Sequence, residues 1–176
     1  ALDRSLGGDR RTRTIQKGVV KLLPERGHIG SVRDIRPIAG GKILVGGFYS
    51  GRFMAARFER DGRLDRSFGR NGVSTFDLDG NPDCECSFGM AMVRDYHGRV
   101  LIAGYTQSED DLSPERLRLI RLLPNGRLDR TFGKSGVAKL SSSADASVRA
   151  IAVQRDGRIL VAGSFDRKFG LARFMP

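Results

Sequence analysis

The sequence predicts an all-β protein built from a repeated four-strand unit. Three observations carry that expectation: short runs of Ile, Leu and Val bounded by glycine pairs, an internal period, and no convincing helical period. The 23 glycines follow no collagen-like spacing, and with six scattered prolines they point to many turns. A chain of 176 residues is long enough for one domain with a sizeable core. No run reaches the roughly 18 apolar residues of a membrane-spanning helix, so no membrane span is expected.

The elements follow in order. "SVRDIRPI" from Ser31, "FGMAMVRD" from Phe88 and "SVRAIAVQ" from Ser147 read as first strands. Each meets a turn pair (Gly40-Gly41, His97-Gly98 or Asp156-Gly157) and then a second strand containing Gly47, Gly104 or Gly163, which lie 57 and 59 residues apart. Third strands follow as "RFMAARFE", "RLRLIRLL" and "FGLARFMP", the first two closed by Asp61-Gly62 and Asn125-Gly126. Asx-Gly pairs favour positive φ, so two-residue hairpin turns are expected at them. Next come "DGRLDRSFGRNGV" at 61–73 and "NGRLDRTFGKSGV" at 125–137, which differ at four positions, each running into a short fourth strand. Leu64, Phe68, Leu128 and Phe132 are expected to plug the space between adjacent units. Asp65 with Ser67, and Asp129 with Thr131, are expected to hold the turn by side-chain to backbone hydrogen bonds.

Four strands in such a period are the signature of a propeller blade, whose sheet must be covered by its neighbours. The expected layout is blade 1 at 31–86, blade 2 at 87–146 and the start of blade 3 at 147–176, with 1–30 supplying a terminal strand that completes the last blade. The chain opens on "ALDRSL", which matches the sequence from Arg127, and stops at "LARFMP", which matches "LIRLLP". Two chains arranged head to tail as a six-bladed ring are therefore expected. A piece cut from a longer propeller is the alternative.

The combination "LDRSFGRNGV…DGRILVAG…LARF" resembles the delta-sixty repeats of bacterial surface and secreted proteins. The resemblance covers nearly the whole chain and implies a propeller-like repeat and a secreted, periplasmic or cell-surface location. It implies no activity, since that family carries no established catalytic residues. The first copy departs from it: "LDRSLGG" at 2–8 has Leu6 in the phenylalanine position, and an insertion precedes "KGVVKLL".

The net charge of +11 invites a polyanion partner, but 25 of the 31 cations are arginines spread over repeat-equivalent places. Nucleic acid is not expected as a partner. Arg57, Arg121 and Arg173 share one repeat position and are expected to pair with acids between blades, with Asp65 and Asp129 as candidates; a set of anion pockets is the alternative. Cys84 and Cys86 fit neither a four-ligand zinc site nor a Cys-x-x-Cys redox motif, leaving a tight disulfide or two thiols. His28 and His97 are the two histidines, and His97 reads as a tolerated turn residue. Nucleophile elbow, His-Glu-x-x-His and phosphate-loop patterns are all missing, so no catalytic residue, cofactor or metal is expected. The binding candidates are Arg10, Arg11 and Arg13 in the insertion at 8–13, and Asp110 and Asp111 in the loop at 108–116. The two acids, with Glu109, lack the alternating oxygen pattern of a calcium loop. The expected function is a non-enzymatic binding or structural module holding a glycan or protein ligand on its face or channel. The alternative is a propeller-type hydrolase or lyase acting on an extracellular polymer.

Overall fold

A computed structural model of the chain describes residues 6–7, 12–16, 19–22, 30–78, 87–107, 116–140 and 146–176. A hairpin of β1 (Thr12–Gln16) and β2 (Val19–Leu22) comes first. Blade 1 is β3 (Gly30–Pro37), β4 (Ile43–Tyr49), β5 (Arg52–Phe58) and β6 (Val73–Phe76). Blade 2 is β7 (Ser87–Arg94), β8 (Val100–Thr106), β9 (Arg116–Leu122) and β10 (Val137–Lys139). Blade 3 is β11 (Ala146–Val153), β12 (Ile159–Phe165) and β13 (Lys168–Phe174). Within every blade the strands lie in chain order and pair antiparallel. Among the described residues one 3-10 turn, at Ala39–Gly41, stands between strands. The all-β, propeller-like expectation holds.

The recurring second-strand glycine has a packing cause. Each first strand bulges, between Val32 and Asp34, Gly89 and Ala91, or Val148 and Ala150. The bulge presses a backbone carbonyl onto the glycine opposite. A Cβ on Gly104 would lie 1.9 Å from the Phe88 carbonyl oxygen, and one on Gly163 1.9 Å from that of Ser147.

The blades fan out from their first strands. β7 packs across β3, β4 and β5, and β11 packs across β7, β8 and β9. At the hub Asp34 accepts a hydrogen bond from the Met92 amide (3.1 Å) while Arg36 donates to the Met92 carbonyl (3.2 Å), tying β3 to β7. Two apolar layers fill the gaps. Leu44, Phe53 and Phe68 of blade 1 meet Met92, Ile102 and Ile120 of blade 2. Leu101, Leu119 and Phe132 of blade 2 meet Val148, Ile159 and Val161 of blade 3.

Two expectations need correction. The loops at Asp61-Gly62, His97-Gly98, Asn125-Gly126 and Asp156-Gly157 are three-residue turns, not two-residue ones: in the second of them the Asp95 amide donates to the Arg99 carbonyl (2.9 Å), the Gly98 amide donates to the Asp95 carbonyl (3.0 Å), and only Gly98 takes positive φ (78°). Asp95 Oδ1 receives the amides of His97 and Arg99, which favours this wider turn closed by a left-handed glycine. Two-residue turns with both residues at positive φ are Ser50-Gly51 and Asp166-Arg167, between second and third strands, and Asn71-Gly72 and Ser135-Gly136, just ahead of the fourth strands. Secondly, Leu64 and Phe68 do not fill one gap. Phe68 lies between blades 1 and 2, whereas Leu64 packs with Val45 and Ala56 on the opposite face of blade 1, beside Leu22.

Candidate functional site

The connector between third and fourth strands builds a charged cluster in each complete blade. In blade 1 the Asp65 carboxylate accepts hydrogen bonds from Arg57 Nε (2.6 Å), Lys42 Nζ (2.7 Å) and the Ser67 hydroxyl (2.6 Å) and amide (3.0 Å). Burial alone would push this carboxyl up, but those donors outweigh it and hold it well below the usual carboxylate range. Asp65, followed by Glu59, in turn raises the Lys42 ammonium. The Arg57 guanidinium also lies 4.9 Å from the Phe68 ring centroid. Its Nη1 reaches across to the Pro124 carbonyl of blade 2 (2.8 Å).

Blade 2 repeats the cluster with fewer cations. Asp129 accepts from the Thr131 hydroxyl (2.6 Å) and amide (3.1 Å) and from Arg121 Nε (2.8 Å). The Thr131 hydroxyl is the main cause that lowers its carboxyl, ahead of the opposing effect of burial and the help of Arg121. Arg121 lies 4.6 Å from the Phe132 ring centroid. The expected pairings Arg57–Asp65 and Arg121–Asp129 are thus present, within a blade rather than between blades. Arg173 is exposed and pairs with no acid among the described residues.

Beside the second cluster a cleft of 330 Å³ opens between blades 2 and 3. It is lined by Asp95, Tyr96, His97, Arg99 and Arg121 from one blade, and by Arg155, Asp156 and Pro176 from the next. Asp95 stands where blade 1 has Ile38, and it draws Arg99 to itself (Nε to Oδ2, 2.6 Å). Arg121 uses Nε on Asp129 and Nη2 on Thr131, while among the described residues its Nη1 has no carbonyl such as Arg57 finds at Pro124. The cleft therefore presents guanidinium donors braced from behind by carboxylates, next to a Tyr96 ring that is 75% exposed. Such a surface can take an oxyanion on the arginines and an apolar ring face on the tyrosine.

The sequence singled out other residues. Arg10, Arg11, Asp110 and Asp111 lie outside the described residues, as do His28, Cys84, Cys86 and Glu109. Arg13 sits in strand β1 rather than in a loop, and its side chain is outside the described set. Of the histidines and arginines named from the sequence, His97 and Arg121 line the cleft. Tyr96, Arg99 and Arg155 were not singled out. Their signal was a departure from the repeat: Ala39, Tyr96 and Arg155 share one turn position, as do Gly40, His97 and Asp156. Among the described residues no group of three or more His, Cys, Asp or Glu side chains gathers to hold a metal ion.

No curated protein matches this chain. Residues 41–68, 98–132 and 154–176 match the family described as a domain of unknown function (DUF5122) beta-propeller, each stretch covering part of one blade. With its sheets stacked in a fan, the chain is a protein of β-propeller repeats.

Proposed function

We propose that this chain is a non-enzymatic binding module, and that the cleft between blades 2 and 3 takes an acidic saccharide by its carboxylate or sulfate group. The observation that carries the reading is the meeting of an exposed aromatic ring, Tyr96, with Arg155 and the open side of the Arg121 fork in one 330 Å³ cleft. Sugar rings stack their C–H faces on aromatic rings, and guanidinium binds carboxylate or sulfate through paired N–H donors. Arg155 is exposed and has no acidic partner among the described residues, so it adds uncompensated positive charge at the rim. The delta-sixty character of the repeats and an exported location belong to the same proposal, since acidic polysaccharides are abundant outside cells.

Calorimetric titration with uronate-containing and sulfated oligosaccharides, chosen from a glycan array, tests it. Tyr96→Ala and Arg155→Ala are each expected to weaken binding about tenfold, equivalent to ~1.4 kcal/mol. Equal binding of the matching neutral sugar, or unchanged affinity in the double variant, would overturn the proposal.

A further inference from the structure

Positions that are buried where two blades meet are exposed at both ends of the fan. Val148 and Ile151, on the leading face of blade 3, are 0% and 9% exposed, whereas their repeat counterparts Val32 and Ile35 in blade 1 are 56% and 60% exposed. On the trailing side, Leu117 and Leu119 of blade 2 are 1% and 0% exposed, and their counterparts Phe169 and Leu171 of blade 3 are 89% and 60% exposed. The leading face of blade 1 and the trailing face of blade 3 are thus the two halves of a junction of the kind already formed twice. A 440 Å³ hollow lined by Leu22, Val32, Ile35, Val45 and Phe48 marks the first half.

The strand edges agree with the faces. Gly7 N donates to the Asp61 carbonyl (2.7 Å) as Gly69 N donates to the Asn125 carbonyl (2.7 Å). The segment ahead of blade 1 therefore rides on that blade as the blade 1 connector rides on blade 2, and β2 stands in the place of β6 and β10. Gln16 pairs with Val19 where Arg70 bridges Val73 and Lys134 bridges Val137. β1 therefore extends that bridge along the outer edge of β2. The inner edge, which β6 gives to β5 and β10 gives to β9, has no partner strand on β2 among the described residues. β13 has the converse gap: among the described residues it is a third strand with no fourth.

We infer that a second copy of this chain fills both gaps. β13 of one copy pairs antiparallel with β2 of the other in the register Val19↔Ala172, Val20↔Leu171 and Lys21↔Gly170. That register is the one set by Val73↔Ala56 in blade 1 and Val137↔Ile120 in blade 2. The same contact places the exposed Phe169 and Leu171 against Val32 and Ile35. A two-fold axis repeats it on the other side, so three blades from each copy give a six-bladed ring, within the roughly four to eight blades of closed propellers. The closure also removes the two open sheet edges of each copy, which otherwise invite aggregation.

Light scattering after gel filtration of the 176-residue chain should give about twice its 19.3 kDa mass. The register is read by cross-linking in a Cys84→Ser, Cys86→Ser background. Arg57 N bonds the Gly72 carbonyl (2.9 Å), so the next pair along, Val73 with Ala56, is of the non-hydrogen-bonded kind, and Val19 with Ala172 inherits that geometry. Such pairs hold their Cα atoms about 4.5 Å apart, close enough for a disulfide. Val19→Cys with Ala172→Cys is expected to give a covalent dimer on oxidation, while Val19→Cys with Leu171→Cys, on opposite faces, is not. A monomeric mass at micromolar concentration would sink the inference. So would open-ended oligomers, a disulfide closed within one chain, or equal linking by the out-of-register pair. The unsubstituted chain decides the mass, so a variant that fails to fold leaves the question answered.

Discussion

Asp65 and Asp129 hold the same place in two copies of one motif, yet their surroundings divide the cations differently. Asp65 gathers Arg57 and Lys42, and the Arg57 fork continues across the junction to Pro124. Among the described residues Asp129 holds Arg121 and no second cation, while Asp95 holds Arg99, the counterpart of Lys42. The first junction is bridged by Arg57, and a cleft lies at the second. A turn residue, Ile38 in one copy and Asp95 in the other, redirects the neighbouring cation while the shared aromatic plug stays in place. Architecture sits in what the copies share, and the candidate site sits where they part.

The largest expected effect tests the shared part. Phe68 and Phe132 are 1% and 2% exposed, each between two blades under an arginine. Phe132→Ala and Phe68→Ala should each cost about 3–5 kcal/mol, the usual loss for emptying a buried phenylalanine site. Urea unfolding followed by circular dichroism measures both. An unchanged midpoint would show that the motif does not join the blades.

The acids come next, and here the copies should differ. Asp129→Ala leaves Arg121, whose side chain is 6% exposed, without its carboxylate. A stranded buried charge costs about 3 kcal/mol. Asp65→Ala takes one partner from Arg57 and Lys42, but their side chains are 15% and 30% exposed, Arg57 keeps Ser67 and Pro124, and Lys42 keeps Glu59. Its expected cost is smaller, about 2 kcal/mol. The acid with fewer partners should thus be the more costly to remove. The reverse order in denaturant melts would mean that the number of hydrogen bonds, not the stranded charge, sets the effect.

Titration separates the clusters further. Both carboxyls are held below their ordinary range in the folded chain. In the unfolded chain they titrate near pH ~4. Their contribution is therefore complete above about pH 5 and is lost as pH falls through the lowered folded values. Lys42 has the opposite sign, because its ammonium is raised in the folded state. What it contributes is present below about pH 10 and is lost as pH rises through the raised value. Its blade 2 counterpart is arginine, which keeps its charge there. Thermal melts across the alkaline range should show a decline that Lys42→Arg removes. A decline of the same size in that variant would assign it to other groups.

Much of this was legible in the sequence, for physical reasons that can be named. Strands, blades and the Arg–Asp pairs follow from repetition: a residue type that returns in each unit, 57 and 59 positions on for the second-strand glycines and 64 for the Arg–Asp pairs, answers a demand that the fold repeats. The loop geometry was less legible. The turn pairs that join first and second strands were read as two-residue turns, because the hydrogen bonds that Asp95 Oδ1 accepts from the amides two and four residues on depend on the tertiary frame. The opposite facing of Leu64 and Phe68 was hidden as well, since their separation by four residues has no fixed meaning outside a regular element. The cleft was the hardest to see. Tyr96, Arg99 and Arg155 look like ordinary turn variation in sequence, and only the stacking of blade 3 on blade 2 brings them together.

The smallest expected effect tests the divergence itself. Asp95→Ile restores the blade 1 residue to blade 2. The substitution removes the acceptor of the His97 and Arg99 amides, a loss of about 1–2 kcal/mol. It also releases Arg99, which then occupies the position from which Lys42 reaches Asp65 and can reach Asp129 in the same way. That new charge-assisted bond should return part of the loss, leaving a net change of about 1 kcal/mol or less. The decisive reading is the Asp129 carboxyl, followed by carbon-detected nuclear magnetic resonance: a second cation must lower its titration further than in the parent chain. An Asp129 titration that stays put would mean that Arg99 is held by something other than Asp95, and that the two copies differ for a reason beyond this one turn residue.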